Sequence, residues 1–439
     1  MKTPAISNQY RQTPLRVAFA ITSMPVGGAE TLLVNLVRGM NRDLFSPEII
    51  CTKEPGPLGE LLAQELPVHS RLYRHAWDLR IAVRLQRLIR SRQYDAVVTI
   101  GSGDKMFWGR LLAWKCGVPV ICSAIHSTGW PDGISFLNRR LTSITDGFIA
   151  VAQNHAQHLI ENERFPTERV YTIPNGVEVD RFRPNHTKRP WLRRELGVPQ
   201  NTALVGIVAA LRPEKNHGML IEAAKEIIRL HPSTHFVIVG DGPQRHNIES
   251  KIRDAGLVKQ FHLMGNRSDT QDILAGLDAF VLTSVNEANP VSILEALSTG
   301  IPVVSTRVGS IHETVIHEQT GLLTNSGSFE QTADALCRLL SNPVWARELG
   351  LRGRELVRSA WGLDSMVRGY QQLIESLYNA KAVLHHRQIW KPIASPVEAL
   401  AEIDSIDCLE SVAELCANAA SATQLESKAG TLPLQTLAR

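Results

Sequence analysis

Two glutamates eight positions apart, Glu287 and Glu295, flank a proline-led helix start within the stretch Asp278 to Gly309. The apolar run Ala279 to Leu282 suits a buried parallel strand, and Ile301 to Ser305 suits its neighbour one helix later. Glu287 then falls where the strand's carboxyl end opens into a crevice, and Glu295 about a turn into the helix. Asn289-Pro290 is a plausible entry to that helix, because a first-turn proline wastes no hydrogen bond and its φ is already helical. The N–H groups of Val291 and Ser292 are then available to phosphate oxygens. An anion between two carboxylates is odd for a phosphate site alone. It fits a nucleotide-sugar, with one acid on sugar hydroxyls and the other on the ribose.

Three further positions have matching chemistry. Gly27 and Gly28 end a Gly-rich turn after the strand Leu15 to Ile21, where helix amides and dipole favour a diphosphate and the missing side chains allow close approach. Lys215 stands between a strand and a helix, where a flexible cation can neutralise charge developing on a diphosphate. His126 follows the strand Val118 to Ala124, at the edge that open α/β sheets use for ligands. Spacing alone also allows a structural loop histidine there.

The elements that must position these residues alternate strand and helix throughout. Further strands are expected at Ser46 to Cys51, Tyr94 to Ile100, Gly147 to Ala152 and Val170 to Ile173, then at Ala203 to Ala210, Thr234 to Gly240 and Phe261 to Gly265. This divides the chain into a flexible start (1–14), a first Rossmann-like domain (15–185), a linker (186–202), a second Rossmann-like domain (203–360), a crossover helix (361–380) and a helical or partly disordered extension (381–439). In the extension, Ile403, Ile406, Leu409, Val412, Leu415 and Ala419 suit an amphipathic helix.

The stretch EANPVSILEALSTGIPVVST resembles the signature of the large family of retaining nucleotide-sugar glycosyltransferases, the family 4-like or group 1 enzymes. The likeness covers the glutamate spacing, the proline three after the first glutamate, the alanine after the second, and G-x-P-V-V-S. GGAE at Gly27, IPNGV at Ile173, VGDGP at Val239 and GSIHE at Gly309 follow in the family's order, over about residues 15 to 380. The resemblance implies an α/β protein of GT-B fold, two Rossmann-like domains facing across a cleft with a C-terminal crossover helix. It implies hexosyl or N-acetylhexosaminyl transfer, with retention, from a UDP- or GDP-sugar to a saccharide or lipid-linked acceptor in surface polysaccharide or glycolipid biosynthesis. His126, Lys215 and Glu287 then become the catalytic set. Gly27, Gly28, Arg212, Gly242, Asn266, Asn289, Val291, Ser292 and Glu295 join Lys215 and Glu287 around the donor. Glu30, Trp130 and Asp132 lie on the acceptor side. The family usually places an arginine five positions before the lysine, where this chain has Ala210, and Arg212 is the nearby substitute. No DxD metal motif is evident, so neither a metal nor another cofactor is expected.

Composition sets the remaining bounds. A chain of 439 residues suits two domains, and 44% hydrophobic with 21% charged residues is a globular balance. A formal charge of +4, from 47 basic and 43 acidic residues, gives no reason to invoke nucleic acid. Six cysteines form no CxxC pair and suit buried thiols in a reducing compartment. A polar amino end and the lack of any apolar run of eighteen suggest a cytoplasmic protein, soluble or peripheral on the inner face of the cell membrane. The basic helix Leu79 to Arg90, with Arg80, Arg84, Arg87 and Arg90, either solvates an outer face or meets anionic headgroups. The alternatives are a nucleotide-sugar epimerase or sugar phosphorylase on the same fold, and a noncatalytic sugar-nucleotide-binding protein. An ordinary dehydrogenase lacks support, because the early GxGxxG is missing. Self-association is not legible.

Overall fold

The computed structural model describes residues 13–74, 78–101, 104–126 and 139–388, without the side chains of 104–106 and 383–388. Its first sheet holds seven parallel strands: Leu15–Ile21 (β1), Phe45–Cys51 (β2), Val68–His69 (β3), Ala96–Ile100 (β4), Val120–Ala124 (β5), Gly147–Ala150 (β6) and Val170–Thr172 (β7). They are ordered β3-β2-β1-β4-β5-β6-β7. The second holds six: Ala203–Val208 (β8), Thr234–Val239 (β9), Phe261–Gly265 (β10), Ala279–Leu282 (β11), Val303–Thr306 (β12) and Gly321–Thr324 (β13), ordered β10-β9-β8-β11-β12-β13. Every residue of β4, β5, β11 and β12 is buried, as parallel strands covered on both faces require. The short β3 and the helix Gly56–Leu62 before it had no clear signal in the sequence.

In each sheet the strand order reverses beside the first strand, so β1 lies next to β4 and β8 next to β11. Loops leaving the carboxyl ends on either side of that reversal splay apart and leave a crevice. Gly27 and Gly28 follow β1, Lys215 follows β8 and Glu287 follows β11. The strand reversal in the second sheet therefore brings Lys215 and Glu287 together although 72 residues separate them.

Two chain segments connect the lobes, and they run together. The Val177 N–H donates to the Trp361 carbonyl at 3.0 Å, and the Leu363 N–H to the Val177 carbonyl at 3.0 Å. Gly176 is required at this crossing, since a Cβ there would stand 2.7 Å from the Leu363 Cα. The expected crossover helix runs Leu363–Gln388. Trp361 precedes it and belongs to the core of the second lobe, whereas Met366, Val367, Tyr370, Leu373 and Ile374 join the core of the first. A second compact unit begins at Asn379, and only its helical residues to 388 are described. The amphipathic stretch expected around 403–419 lies outside the described residues.

The expected linker 186–202 contains the helix Lys188–Glu195, which lies on the second lobe. Its Arg193 is buried, with hydrogen bonds to the Thr202, Arg189 and Gly276 carbonyls and a 2.6 Å ion pair to Asp278. A charged stretch thus became structure because one guanidinium found enough acceptors to offset its desolvation. Cys51, Cys116, Cys122 and Cys337 are free thiols.

Candidate active site

Lys215 ends a short turn of helix, Pro213–Lys215, and Asn216 then takes a left-handed conformation (φ 47°) before the helix His217–Leu230. That break turns the lysine side chain out of the chain path. Its ammonium hydrogen-bonds to the Glu287 carboxylate, with side-chain exposures of 21% and 9%, so the pair is largely shielded from water. The loop after β11 holds both partners. The Thr283 hydroxyl donates to the Lys215 and Asn216 carbonyls at 3.0 and 3.1 Å, and the Ser284 hydroxyl donates to Glu287 Oε1 at 2.6 Å. The Val285 N–H donates to the Glu214 carbonyl at 2.8 Å. Neither hydroxyl stood out in the sequence, because serine and threonine at a loop entrance are commonplace.

Glycines hold this loop from behind. Gly309 has φ +51° and packs on the Glu287 backbone, where a Cβ would come 1.6 Å from the Glu287 carbonyl oxygen. Gly242 packs on Leu211, with 2.6 Å from a Cβ to that carbonyl, and so braces the chain entering Arg212 and Lys215. The Arg212 side chain is exposed and has no hydrogen bond or ion pair among the described residues, which leaves it able to turn toward an anion. Asn266 is likewise exposed, after β10. Its neighbour Arg267 is engaged with Asp269 and Glu195, both at 2.7 Å.

Two helix amino ends, one from each lobe, converge at the crevice. Gly28 opens the helix Gly28–Gly39, Val291 opens Val291–Thr299, and a Cβ on Gly28 would touch Val291 Cγ2 at 3.7 Å. First-turn amides of both helices, those of Val291 and Ser292 included, lack acceptors within their helices. The two dipoles favour an anion where they meet. The Glu30 carboxylate folds back to the same turn, since its Oε2 lies 2.4 Å from where a Gly27 Cβ would be. Asn289 bridges the lobes: its side-chain N–H donates to the Val151 carbonyl at 3.2 Å, and its own carbonyl accepts from the Asn175 side chain at 2.8 Å. Among the described residues no donor reaches the buried Asn289 Oδ1, an acceptor position that a ligand hydroxyl would satisfy.

Glu295 lies on the second helix, and burial pushes its carboxyl up to about 8, with Arg181 pulling the other way and Glu178 adding to the rise. Arg181 also donates to the Ser268 carbonyl at 3.3 Å and Gln271 Oε1 at 3.2 Å, and its guanidinium lies 5.3 Å from the Phe182 ring centre. This arginine was not singled out in the sequence. His126 follows β5, where burial lowers its imidazole to about 4, so it is neutral near pH 7. It can then act as a hydrogen-bonding group rather than as a cation. Trp130 and Asp132 lie outside the described residues. Among the described residues no group of three or more His, Cys, Asp or Glu could hold a metal ion.

Comparison with known proteins agrees with this fold. A family model for "Glycosyltransferase Family 4" matches residues 26–181, and one for "Glycosyl transferases group 1" matches residues 188–356. The chain is 30% identical over 322 residues to the Escherichia coli UDP-Gal:alpha-D-GlcNAc-diphosphoundecaprenol alpha-1,3-galactosyltransferase, covering 68% of this chain and 81% of that one. It is 28% identical to the Mycobacterium tuberculosis GDP-mannose-dependent alpha-(1-6)-phosphatidylinositol monomannoside mannosyltransferase, over 65% of this chain and 77% of that enzyme. The crystal structure of Anabaena HepE in complex with UDP-glucose superposes with a TM-score of 0.73 at 21% identity, over 83% of this chain and all of that one, a likeness of fold. With a matching fold, a paired lysine and glutamate at the strand reversal, and two helix amino ends facing them, the chain belongs to the family 4 and group 1 glycosyltransferases, which transfer a sugar from a nucleoside diphosphate sugar to an acceptor.

Proposed function

We propose that the protein is a retaining, metal-independent hexosyltransferase that moves a hexosyl or N-acetylhexosaminyl unit from a UDP- or GDP-sugar to a hydroxyl of a saccharide or lipid-linked acceptor. The observation that carries this reading is the shielded Lys215–Glu287 pair beside the two converging helix ends. On donor binding, Lys215 transfers its ammonium from Glu287 to the diphosphate, joined by Arg212 and the amides of Gly28, Val291 and Ser292. Glu287 is thereby released to accept hydrogen bonds from the sugar, with His126 on the same hexose, Glu295 on the ribose and Asn266 beside the base. The anomeric C–O bond breaks toward the diphosphate, which takes the electron pair. The acceptor oxygen attacks from the same face, and its proton passes to the departing phosphate oxygen. Cationic and amide groups stabilise the negative charge, and Glu287 the positive character of the sugar.

Surface polysaccharide or glycolipid assembly follows from the relatives, since the names of two specify a diphosphoundecaprenol-linked and a phosphatidylinositol-linked acceptor. Lipid-linked acceptors of that kind support a reaction at the inner face of the cell membrane. The first lobe supports that placement: Arg80, Arg87 and Arg90 are exposed on the helix Ile81–Arg92 or at its start, with Leu79 and Val83 beside them and Trp114 on the adjoining helix Asp104–Lys115. Arg84 instead turns inward to Asp78 and the Leu72 carbonyl. No helix among the described residues is long and apolar enough to cross a membrane.

A donor panel followed for nucleoside diphosphate release, with and without lipid and saccharide acceptors, tests the reading. Release that requires an acceptor is expected, and Glu287→Ala should lower turnover roughly 30- to 1000-fold. Normal turnover in that variant overturns the role of Glu287. An altered sugar nucleotide without any acceptor would indicate an epimerase, and a requirement for inorganic phosphate a phosphorylase. Reversing Arg80, Arg87 and Arg90 to glutamate should weaken binding to vesicles containing anionic phospholipid, and unchanged binding removes the membrane contact.

A further inference from the structure

A carboxylate of the second lobe caps a helix of the first. The helix Gln153–Glu161 follows β6, and no side chain at its own Ala152 caps it. Glu313, at the end of the turn Ile311–Glu313, fills that place from the other side of the cleft. Its Oε2 accepts the Gln153 N–H at 3.0 Å and its Oε1 the Asn154 N–H at 2.7 Å, a charge-assisted pair at the positive end of the helix. Beside it the Asn154 side chain donates to the Gly309 carbonyl at 3.1 Å. Gly309 is the residue packed so closely on the Glu287 backbone that a Cβ would overlap its carbonyl oxygen. A continuous chain of contacts therefore runs from the first-lobe helix through Glu313, Asn154 and Gly309 to Glu287. Ile311, fully buried, anchors the turn in the second lobe, so the first-lobe helix cannot withdraw without breaking these bonds or disturbing the Gly309 turn.

We propose that Glu313 is a positioning residue: by capping the Gln153–Glu161 helix across the cleft it holds the Gly309 turn against Glu287 and fixes that carboxylate at the reacting sugar. Lobe approach and the placement of Glu287 then become one event. Glu313 itself touches neither donor nor acceptor. The proposal rests on the reading of Glu287 given above.

The test compares Glu313→Ala, Glu313→Gln and Asn154→Ala with the parent enzyme. In Glu313→Ala, kcat should fall roughly 10- to 100-fold, because small misplacement of a reacting group is costly. The donor KM should stay within about threefold, since Lys215, Arg212 and the Val291 and Ser292 amides, which hold the diphosphate, are untouched. Glu313→Gln keeps an oxygen acceptor without the charge and should recover part of the loss. Asn154→Ala should lower kcat less, and the double variant should lose less than the product of the two single losses, because both residues hold one junction. Should Glu313→Ala fail to fold, Asn154→Ala alone decides by the same split. A kcat within twofold of the parent, or a loss confined to donor KM, overturns the proposal. Glu287→Ala assayed in parallel separates the two failures: if it also turns over normally, the underlying role of Glu287 falls, and if it alone is inactive, only the role of Glu313 does.

Discussion

Among single residues, Glu295 has the clearest pH signature. Its ordinary carboxyl value of 4.5 is pushed up to about 8 by burial. Between those values the folded chain keeps a proton that the unfolded chain has released, so stability falls as pH rises across that window. Glu295→Gln removes the titration. The variant should therefore match the parent near pH 4.5 and melt at a higher temperature than the parent at pH 8 and above, as thermal scans at the two pH values would show. A lower melting temperature at high pH would mean that Glu295 is charged and well solvated in the free enzyme. His126 illustrates the opposite sign of the same physics, since burial favours its neutral form. Both cases show the limit of reading residue types. Glu295 and His126 could be picked from spacing and resemblance, but their protonation depends on how much protein surrounds them.

At the scale of elements, one buried carboxylate joins four pieces of the first lobe. Glu48 on β2 accepts from His69 of β3 at 2.9 Å and from the Tyr94 hydroxyl at 2.7 Å, just before β4, and it pairs with Arg92 at the end of the helix Ile81–Arg92. Burial alone would raise this carboxyl, but the hydrogen bonds from His69, Arg92 and Tyr94 outweigh it and hold it at about 2. A depressed carboxyl contributes stability above its unfolded value near 4.5, and that contribution is lost as pH falls toward 2. Glu48→Ala should cost about 3 kcal/mol at pH 7 in denaturant unfolding, because it leaves three donors without their shared acceptor. The penalty should shrink in acid. In the sequence Glu48 reads as the one charged residue of its strand, and nothing local identifies its three partners, 21 to 46 positions away.

For the whole molecule, the proposed reaction draws groups from both lobes and assigns charge neutralisation to a lysine, an arginine and amides. Treating purified enzyme with a chelator and then assaying donor turnover should therefore leave the rate unchanged. Abolished turnover that returns on adding a divalent cation would overturn the metal-independent account. The lobes meet through backbone pairing at Val177, through Asn175, Asn289 and Val151, and through Glu313 at the Gln153–Glu161 helix. Relative lobe motion thus strains contacts at three places at once, which links closure to the geometry of the cleft.

The amino-acid sequence by itself determined the alternation of strands and helices and the motifs around Gly27, Lys215, Glu287 and Glu295, and the resemblance those motifs carry implied the two-lobed architecture. Those are local patterns: apolar runs of strand length, glycine turns, and a proline that opens a helix. Tertiary structure decided what depends on distant partners. It set Lys215 against Glu287 because β8 and β11 are neighbours, placed Ser284 and Gly309 behind the glutamate, drew Arg193 into the second lobe, and brought Glu313 to a helix 160 positions earlier. The physical reason is that a charge or hydroxyl reveals its chemistry in its own side chain, whereas the group that satisfies it is chosen by the packing of sheets and helices.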